Sequence, residues 1–107
     1  MSDTLATLKR LVASGDIRIS EHGYEELASD GLTVREVVSG IDTAILVEDY
    51  PDYPKGASVL VLQTDTNDQP VHVVWGIPKG HQHPAVLVTA YRPDPKRWNA
   101  DFKKRKK

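Results

Sequence analysis

The sequence contains no cysteine. Disulfide bonds, thiolate metal ligands and cysteine nucleophiles are therefore excluded, and the absence favours the reducing cytoplasm as the compartment. Long apolar runs are also missing, because residues 59–62 and 71–75 are far too short to span a bilayer. The first ten residues lack the apolar segment of roughly 7–15 residues that a signal peptide needs. We therefore expect a soluble cytoplasmic protein with no membrane partner.

Recognisable cofactor and metal motifs are absent from the sequence as well. It has no glycine-rich phosphate loop, no dinucleotide fingerprint and no His-Glu-x-x-His helix. His81 and His83 have a His-x-His spacing, but no third ligand lies near them in sequence. We therefore expect neither a cofactor nor a metal site.

Positive charge is scarce in most of the chain and concentrated at its end. Residues 1–91 hold six Lys and Arg against thirteen Asp and Glu, a balance of −7, whereas residues 92–107 hold eight against two, a balance of +6. A cationic end on an acidic body indicates a polyanionic partner or an acidic protein partner, unless the end is only a solvated tail. Because 107 residues suffice for one domain, we predict a domain over residues 1–102 and a basic tail over residues 103–107.

Helix signals occupy the first part of the chain. An apolar stripe at helical spacing in residues 5–12 predicts a first helix that ends near Gly15. Ser20 is expected to cap a second helix. Thr33 and Glu36 have the spacing of a capping box, which predicts a third, short helix.

The character of the sequence changes at about residue 43, where Val, Ile, Leu and Thr become frequent. The pattern predicts four strands, over residues 44–49, 58–63, 71–77 and 85–91. Because the connections between them are short, neighbouring strands should pair antiparallel. We therefore predict an α+β fold with two to three N-terminal helices packed on one face of a four-stranded antiparallel sheet, and we interpret residues 17–19 as an extended link.

Two histidines are candidate acid/base groups. His22 lies in the first turn of the second helix, where the helix dipole disfavours an imidazolium and attracts anions. Two roles fit this position: a neutral base beside a phosphate, or a ring that forms local hydrogen bonds and packs against its neighbours. His72 interrupts an apolar strand, and strand alternation places Val71 and Val73 on one face and His72 on the other. Its ring either points into a groove or lies in the core with its hydrogen bonds satisfied.

Cationic and aromatic residues after the last strand are candidate contacts for nucleic acid. Tyr91 can stack on a base or donate to a phosphate, although a half-buried rim position also fits, and Arg92 can neutralise phosphate. A cation–aromatic cluster follows, of the type found in single-strand binders, although its tryptophan could equally anchor the tail onto the domain. The candidate nucleic-acid contacts are Lys96, Arg97, Trp98, Lys103, Lys104 and Arg105.

Five short sequence blocks, taken in their order along the chain, resemble a known family. They are residues 19–23 (ISEHG), 31–38 (GLTVREVV), 48–51 (EDYP), 70–74 (PVHVV) and 89–98 (TAYRPDPKRW). Together they resemble the bacterial domain-of-unknown-function family DUF4258 over about residues 17–102. Members of that family are in turn similar to the RelE-like and MqsR-like toxins, small α+β ribonucleases that cut mRNA without a metal.

The resemblance implies a RelE- or barnase-like fold and a metal-independent endoribonuclease of a toxin–antitoxin pair. It also implies single-stranded RNA as substrate and a small antitoxin protein as partner. This chain departs from the family pattern at two positions, with Gly23 in place of Ala and Glu26 in place of Arg. A glutamate in place of a phosphate-binding arginine would repel RNA, whereas nothing would be lost if that arginine made only a structural ion pair.

Metal-free RNA cleavage through the 2′-hydroxyl needs a base, an acid and cations near the phosphate. On this hypothesis His72 and His22 are the candidate acid and base, and Arg92 with the cations that follow it neutralises the phosphate. Tyr91 stacks on a base or donates a hydrogen bond. The hypothesis requires that His72 and Arg92 open onto a common concave surface. The alternatives are a non-catalytic module that binds nucleic acid or protein, and a domain with no enzymatic role.

Overall fold

Three short helices and five strands follow one another along residues 2–106, the part of the chain that the computed structural model describes. Within these residues the longest helix has 11 residues, and none of the helices could span a bilayer. The bounds are α1 Asp3–Ala13, β1 Ile17–Ile19, α2 Glu21–Ser29, α3 Val34–Ser39 with a 3₁₀ turn Gly40–Thr43, β2 Ile45–Tyr50, β3 Ser58–Thr64, β4 Pro70–Gly76 and β5 Ala85–Tyr91.

Each helix begins at a side chain that satisfies free backbone N–H groups. The hydroxyl of Ser20 accepts from the N–H of Gly23 at 2.9 Å. Thr33 and Glu36 form the predicted capping box, with bonds of 2.8 and 3.2 Å. The prediction of two to three N-terminal helices is confirmed, because caps are local features that a sequence shows directly.

The strands form one mixed sheet in the order β1-β5-β4-β3-β2. Strands β2 to β5 pair antiparallel, as predicted, but β1 adds to the edge of β5 in parallel, with Ile17 opposite Ala85. The predicted sheet is therefore wrong in two respects: the sheet has five strands instead of four, and it is mixed instead of purely antiparallel. The extended link is a strand whose partner lies far along the chain, so an argument from short connections between successive strands does not reach it.

The helices cover one face of the sheet, here called the inner face. The predicted alternation in β4 is confirmed, because Val71, Val73 and Trp75 are buried in the core with residues of all three helices. The indole N–H of Trp75 donates to the side-chain carbonyl of Gln63 at 3.0 Å, and the amide of Gln63 donates to the backbone carbonyl of Val37 at 2.8 Å. These bonds tie the sheet to α3.

The chain after β5 folds back as a hairpin over residues 93–106, here called the C-terminal hairpin. Trp98 pairs with Arg105 as an antiparallel bridge. Two further bonds of 2.8 Å close it, from the N–H of Asn99 to Lys104 and from the N–H of Lys106 to Arg97. The predicted basic tail, residues 103–107, is thus paired with residues 97–99 up to residue 106, while Lys107 lies outside the described residues.

Candidate functional site

His72 lies on the outer face of the sheet, away from the helices, and it is completely buried. The C-terminal hairpin covers it: the Trp98 ring meets the imidazole edge-on with centroids 4.3 Å apart. Tyr91 stands beside it on β5, with ring centroids 5.5 Å apart. Since Trp98 is itself only 4% exposed, a ligand reaches His72 only after the hairpin moves.

The surroundings of His72 favour the neutral imidazole. Burial lowers the pKa of His72 below its ordinary value of 6.5. Its Nε2 lies 2.7 Å from the carbonyl oxygen of Phe102, so Nε2 carries the proton and donates. Nδ1 is then a bare acceptor, and it has no hydrogen-bond partner within residues 2–106.

An ion pair holds the hairpin on the sheet. The guanidinium of Arg105 lies 4.7 Å from the centroid of the Trp98 ring and donates twice to the carboxylate of Glu48 on β2, at 3.1 and 3.3 Å. The hydrogen bonds from Arg105 hold the pKa of Glu48 below its ordinary value. The same carboxylate accepts from the hydroxyl of Tyr50, which raises the pKa of that phenol.

Arg92 lies on the other side of the sheet and is held by two aspartates. Its guanidinium donates to the Asp65 carboxylate at 2.9 Å, and its backbone N–H donates to the Asp30 carboxylate at the end of α2, also at 2.9 Å. The expectation that His72 and Arg92 open onto a common concave surface is therefore wrong. Successive strand residues alternate between faces, so Tyr91 joins His72 on the outer face while Arg92 turns to the helix side.

The other candidate site residues do not form one cluster. His22 is exposed and lies 3.5 Å from the Glu26 carboxylate one turn later on α2, away from His72. Glu26, which the resemblance aligns with an arginine of the family, thus contacts a histidine. Within the C-terminal hairpin, Trp98 and Arg105 face the sheet as described above. Its remaining candidate cations point to solvent: Lys96, Arg97, Lys103 and Lys104.

A part of the outer face that the hairpin leaves open forms a groove of about 570 Å³. Arg18 and Lys55 supply its cations, Tyr50 and Tyr53 its exposed aromatic rings, and Glu21 its carboxylate. The floor is formed by sheet residues. The remaining lining residues are Ser20, Gly56, Ser58, Val74, Gly76, Ile77, Pro78, Val86 and Val88.

The groove has a net positive charge, whereas residues 1–91 as a whole have a net negative charge. Arg18 and Lys55 are two of the six Lys and Arg in residues 1–91, and Glu21 is the only groove residue among the thirteen Asp and Glu there. With two cations and one carboxylate the groove carries a net positive charge, and such a cleft attracts ligands of the opposite sign. The groove is therefore the part of the outer face best suited to an anion with flat, stackable groups.

Sequence reasoning missed Arg18, Tyr53 and Lys55 as candidate residues. One signal was available: two tyrosines and a lysine fall within residues 50–55 of a chain segment that is otherwise acidic. Arg18 could be recognised as a groove residue only from the structure, because the parallel pairing of β1 puts it opposite Val86 of β5. Among residues 2–106, no group of three or more His, Asp or Glu side chains is placed to hold a metal ion.

The model of one protein family, described as "Domain of unknown function (DUF4258)", matches residues 19–92 of the chain. No curated protein and no solved structure gives a significant match. The matched span runs from the end of β1 to Arg92, so it includes most residues of the groove and leaves out α1 and the C-terminal hairpin. Because this span is more than two thirds of the 107 residues, the chain belongs to the DUF4258 family.

Proposed function

We propose that the protein binds single-stranded RNA in the groove on the outer face. The observation that carries this proposal is the pairing of cations with exposed tyrosines in one groove of an otherwise acidic body. Cations that follow the backbone and rings on which unpaired bases stack are the two elements of a single-strand site. A duplex hides its bases in its own stack, so exposed rings favour a single strand.

The choice of RNA over DNA rests on the expected relationship of the DUF4258 family to RNA-cutting toxins. In that setting the protein is a toxin of a toxin–antitoxin pair, and a small antitoxin protein is its partner. Expression without the antitoxin should then arrest growth, and a variant lacking both groove cations should not arrest it. Growth arrest that persists without the groove cations would refute the link between this site and toxicity.

Binding should depend on the groove cations. Arg18→Ala and Lys55→Ala should each weaken binding of an unstructured oligoribonucleotide and flatten the slope of log K against log salt by about 0.7, the value for one phosphate contact on a single strand. Arg35→Ala is the matched control, because Arg35 is an exposed cation on α3, in the helix layer. Equal salt slopes for all three variants would refute the groove as the site.

Stacking should depend on the ring of Tyr53, which is 51% exposed in the free protein. Loss of one base–aromatic stack costs about 1–3 kcal/mol, so Tyr53→Ala should weaken binding by about 5- to 150-fold. Tyr53→Phe keeps the ring and should bind like the wild type. If both variants bind equally well, bases do not stack there.

RNA cleavage is a second candidate function, and Glu21 is the observation that favours it. Its exposed carboxylate lines the same groove as two cations and the phenol of Tyr53, so one groove holds a candidate base, a candidate acid and phosphate-neutralising groups. Glu21→Gln should then lower metal-free cleavage, measured in EDTA, by about 100-fold while RNA binding persists. Binding without cleavage by the wild type would identify a non-catalytic binding module instead.

A further inference from the structure

A second cleft opens beside the groove, between the loop that joins β2 to β3 and the loop that joins β4 to β5. It has a volume of about 440 Å³ and is here called the loop cleft. Tyr53 lines both the groove and the loop cleft, as do Gly56, Ile77 and Pro78. The two spaces are therefore neighbours that meet at the Tyr53 ring.

The walls of the loop cleft are held together by the backbone. The N–H of Ile77 donates to the carbonyl of Ala57 at 2.9 Å, and the N–H of Lys79 donates to the carbonyl of Lys55 at 3.1 Å. Gly56 has a φ of +127°, and a Cβ there would lie 2.0 Å from the carbonyl oxygen of Ile77. Only glycine allows this approach. Because the two backbone hydrogen bonds already hold the loops together in the free protein, binding need not order them.

The same backbone bonds place Lys79 next to Lys55 along the path between the two spaces. Lys79 and His81 are exposed at the tip of the second loop, while Asp52 is the only acidic residue that lines the loop cleft. Together, the groove and the loop cleft hold three of the six cations of residues 1–91 but only two of its thirteen acids. The loop cleft adds one cation and one carboxylate, so the two spaces together keep the net positive charge of the groove.

The remaining surface of the loop cleft suits sugars and bases. Pro51, Pro54 and Pro78 line it together with the ring of Tyr53. Proline rings are apolar and conformationally fixed, so they offer a rigid surface to a ribose or a base without loss of backbone freedom on binding.

We propose that the loop cleft is a second subsite for RNA, which takes the nucleotides that continue past Tyr53 from the groove, with Lys79 neutralising one of their phosphates. The ligand is then an extended single strand that occupies both spaces. This inference rests on the proposed RNA binding in the groove and adds the length and path of the strand.

The test is a length series of oligouridylates, from the dinucleotide to the octanucleotide, bound to the wild type and to Lys79→Ala. Wild-type affinity should rise with length until both spaces are filled. Lys79→Ala should leave the dinucleotide unchanged and weaken the octanucleotide on the order of fivefold, with a salt slope flatter by about 0.7. Arg35→Ala, in the helix layer, is the control and should match the wild type at every length.

A second variant tests the same subsite by a gain of affinity. Asp52→Asn removes the one carboxylate of the loop cleft, so it should strengthen octanucleotide binding and leave the dinucleotide unchanged. The subsite is refuted if Lys79→Ala and Asp52→Asn change dinucleotide and octanucleotide binding equally, or change neither. No binding of any length by the wild type would instead overturn the proposed function itself.

Discussion

Two contacts hold the C-terminal hairpin on the sheet: the Arg105–Glu48 ion pair, and the Trp98 ring, which contacts both the imidazole of His72 and the guanidinium of Arg105. Replacing Trp98 by Ala removes a side chain that is 4% exposed. Buried Trp-to-Ala changes cost about 3–5 kcal/mol, and the lost cation–π contact accounts for about 0.5–1 kcal/mol of this at a partly exposed site. Because the hairpin lies at the surface and can partly collapse, we expect about 3 kcal/mol.

Urea unfolding followed by far-UV circular dichroism measures this loss directly. A domain of this size has a stability of about 5–15 kcal/mol, so the variant should remain folded, with a melting temperature lower by about 12 °C or more. Trp98→Phe keeps a ring against His72 and should lose less than half as much stability. Equal losses for Trp98→Phe and Trp98→Ala would show that the ring contacts contribute little.

The titration of His72 gives the same variant a second readout. Burial lowers the pKa of His72 below 6.5, so its neutral form contributes stability at high pH that is lost as the pH falls through 6.5 toward the folded-state pKa. Trp98→Ala lets water reach the ring, so the pKa should rise toward 6.5 in an NMR titration. The stability difference between wild type and variant should therefore shrink below pH 6.5. A stability loss under about 1 kcal/mol with an unchanged His72 titration would refute the reasoning.

Two further substitutions test contacts of the fold. Gln63→Ala leaves the buried indole N–H of Trp75 without an acceptor, so it should cost about 1–3 kcal/mol in urea unfolding, and near-neutral behaviour would contradict the assigned bond. The pKa of Asp65 is lowered by the backbone N–H of Gln69 and further by Arg92, so Arg92→Ala should raise it only in part. Stability that depends on this carboxylate is present above its unfolded pKa of 3.8 and lost as the pH falls; an NMR titration with the same Asp65 pKa in both proteins would contradict the ion pair.

Local signals predicted most of the secondary structure. Ser20 and Thr33 cap helices because a hydroxyl near free N–H groups acts within one turn of chain. The alternation in β4 predicted correctly that His72 faces away from Val71 and Val73, since the period of a strand is two residues. None of these features depends on distant parts of the chain.

The candidate site could not be predicted in the same way. The sequence placed His72 on the right face, but it left open whether that face is a groove or is covered. The answer came from Trp98, Phe102 and Arg105, which lie about 30 residues later and fold back onto it. Likewise, Arg92 looks like a phosphate ligand in sequence and is engaged by two aspartates in space.

The sequence by itself therefore determined where the helices begin, which residues form β2 to β5, and which face of β4 is apolar, because each depends on neighbours a few residues apart. Only the tertiary structure decided that residues 17–19 join the sheet beside β5, that the chain end covers His72, and that Arg18, Tyr53 and Lys55 share one groove. These arrangements depend on contacts between segments tens of residues apart, and such contacts form only when the burial of the whole core outweighs the entropy lost in closing the chain between them.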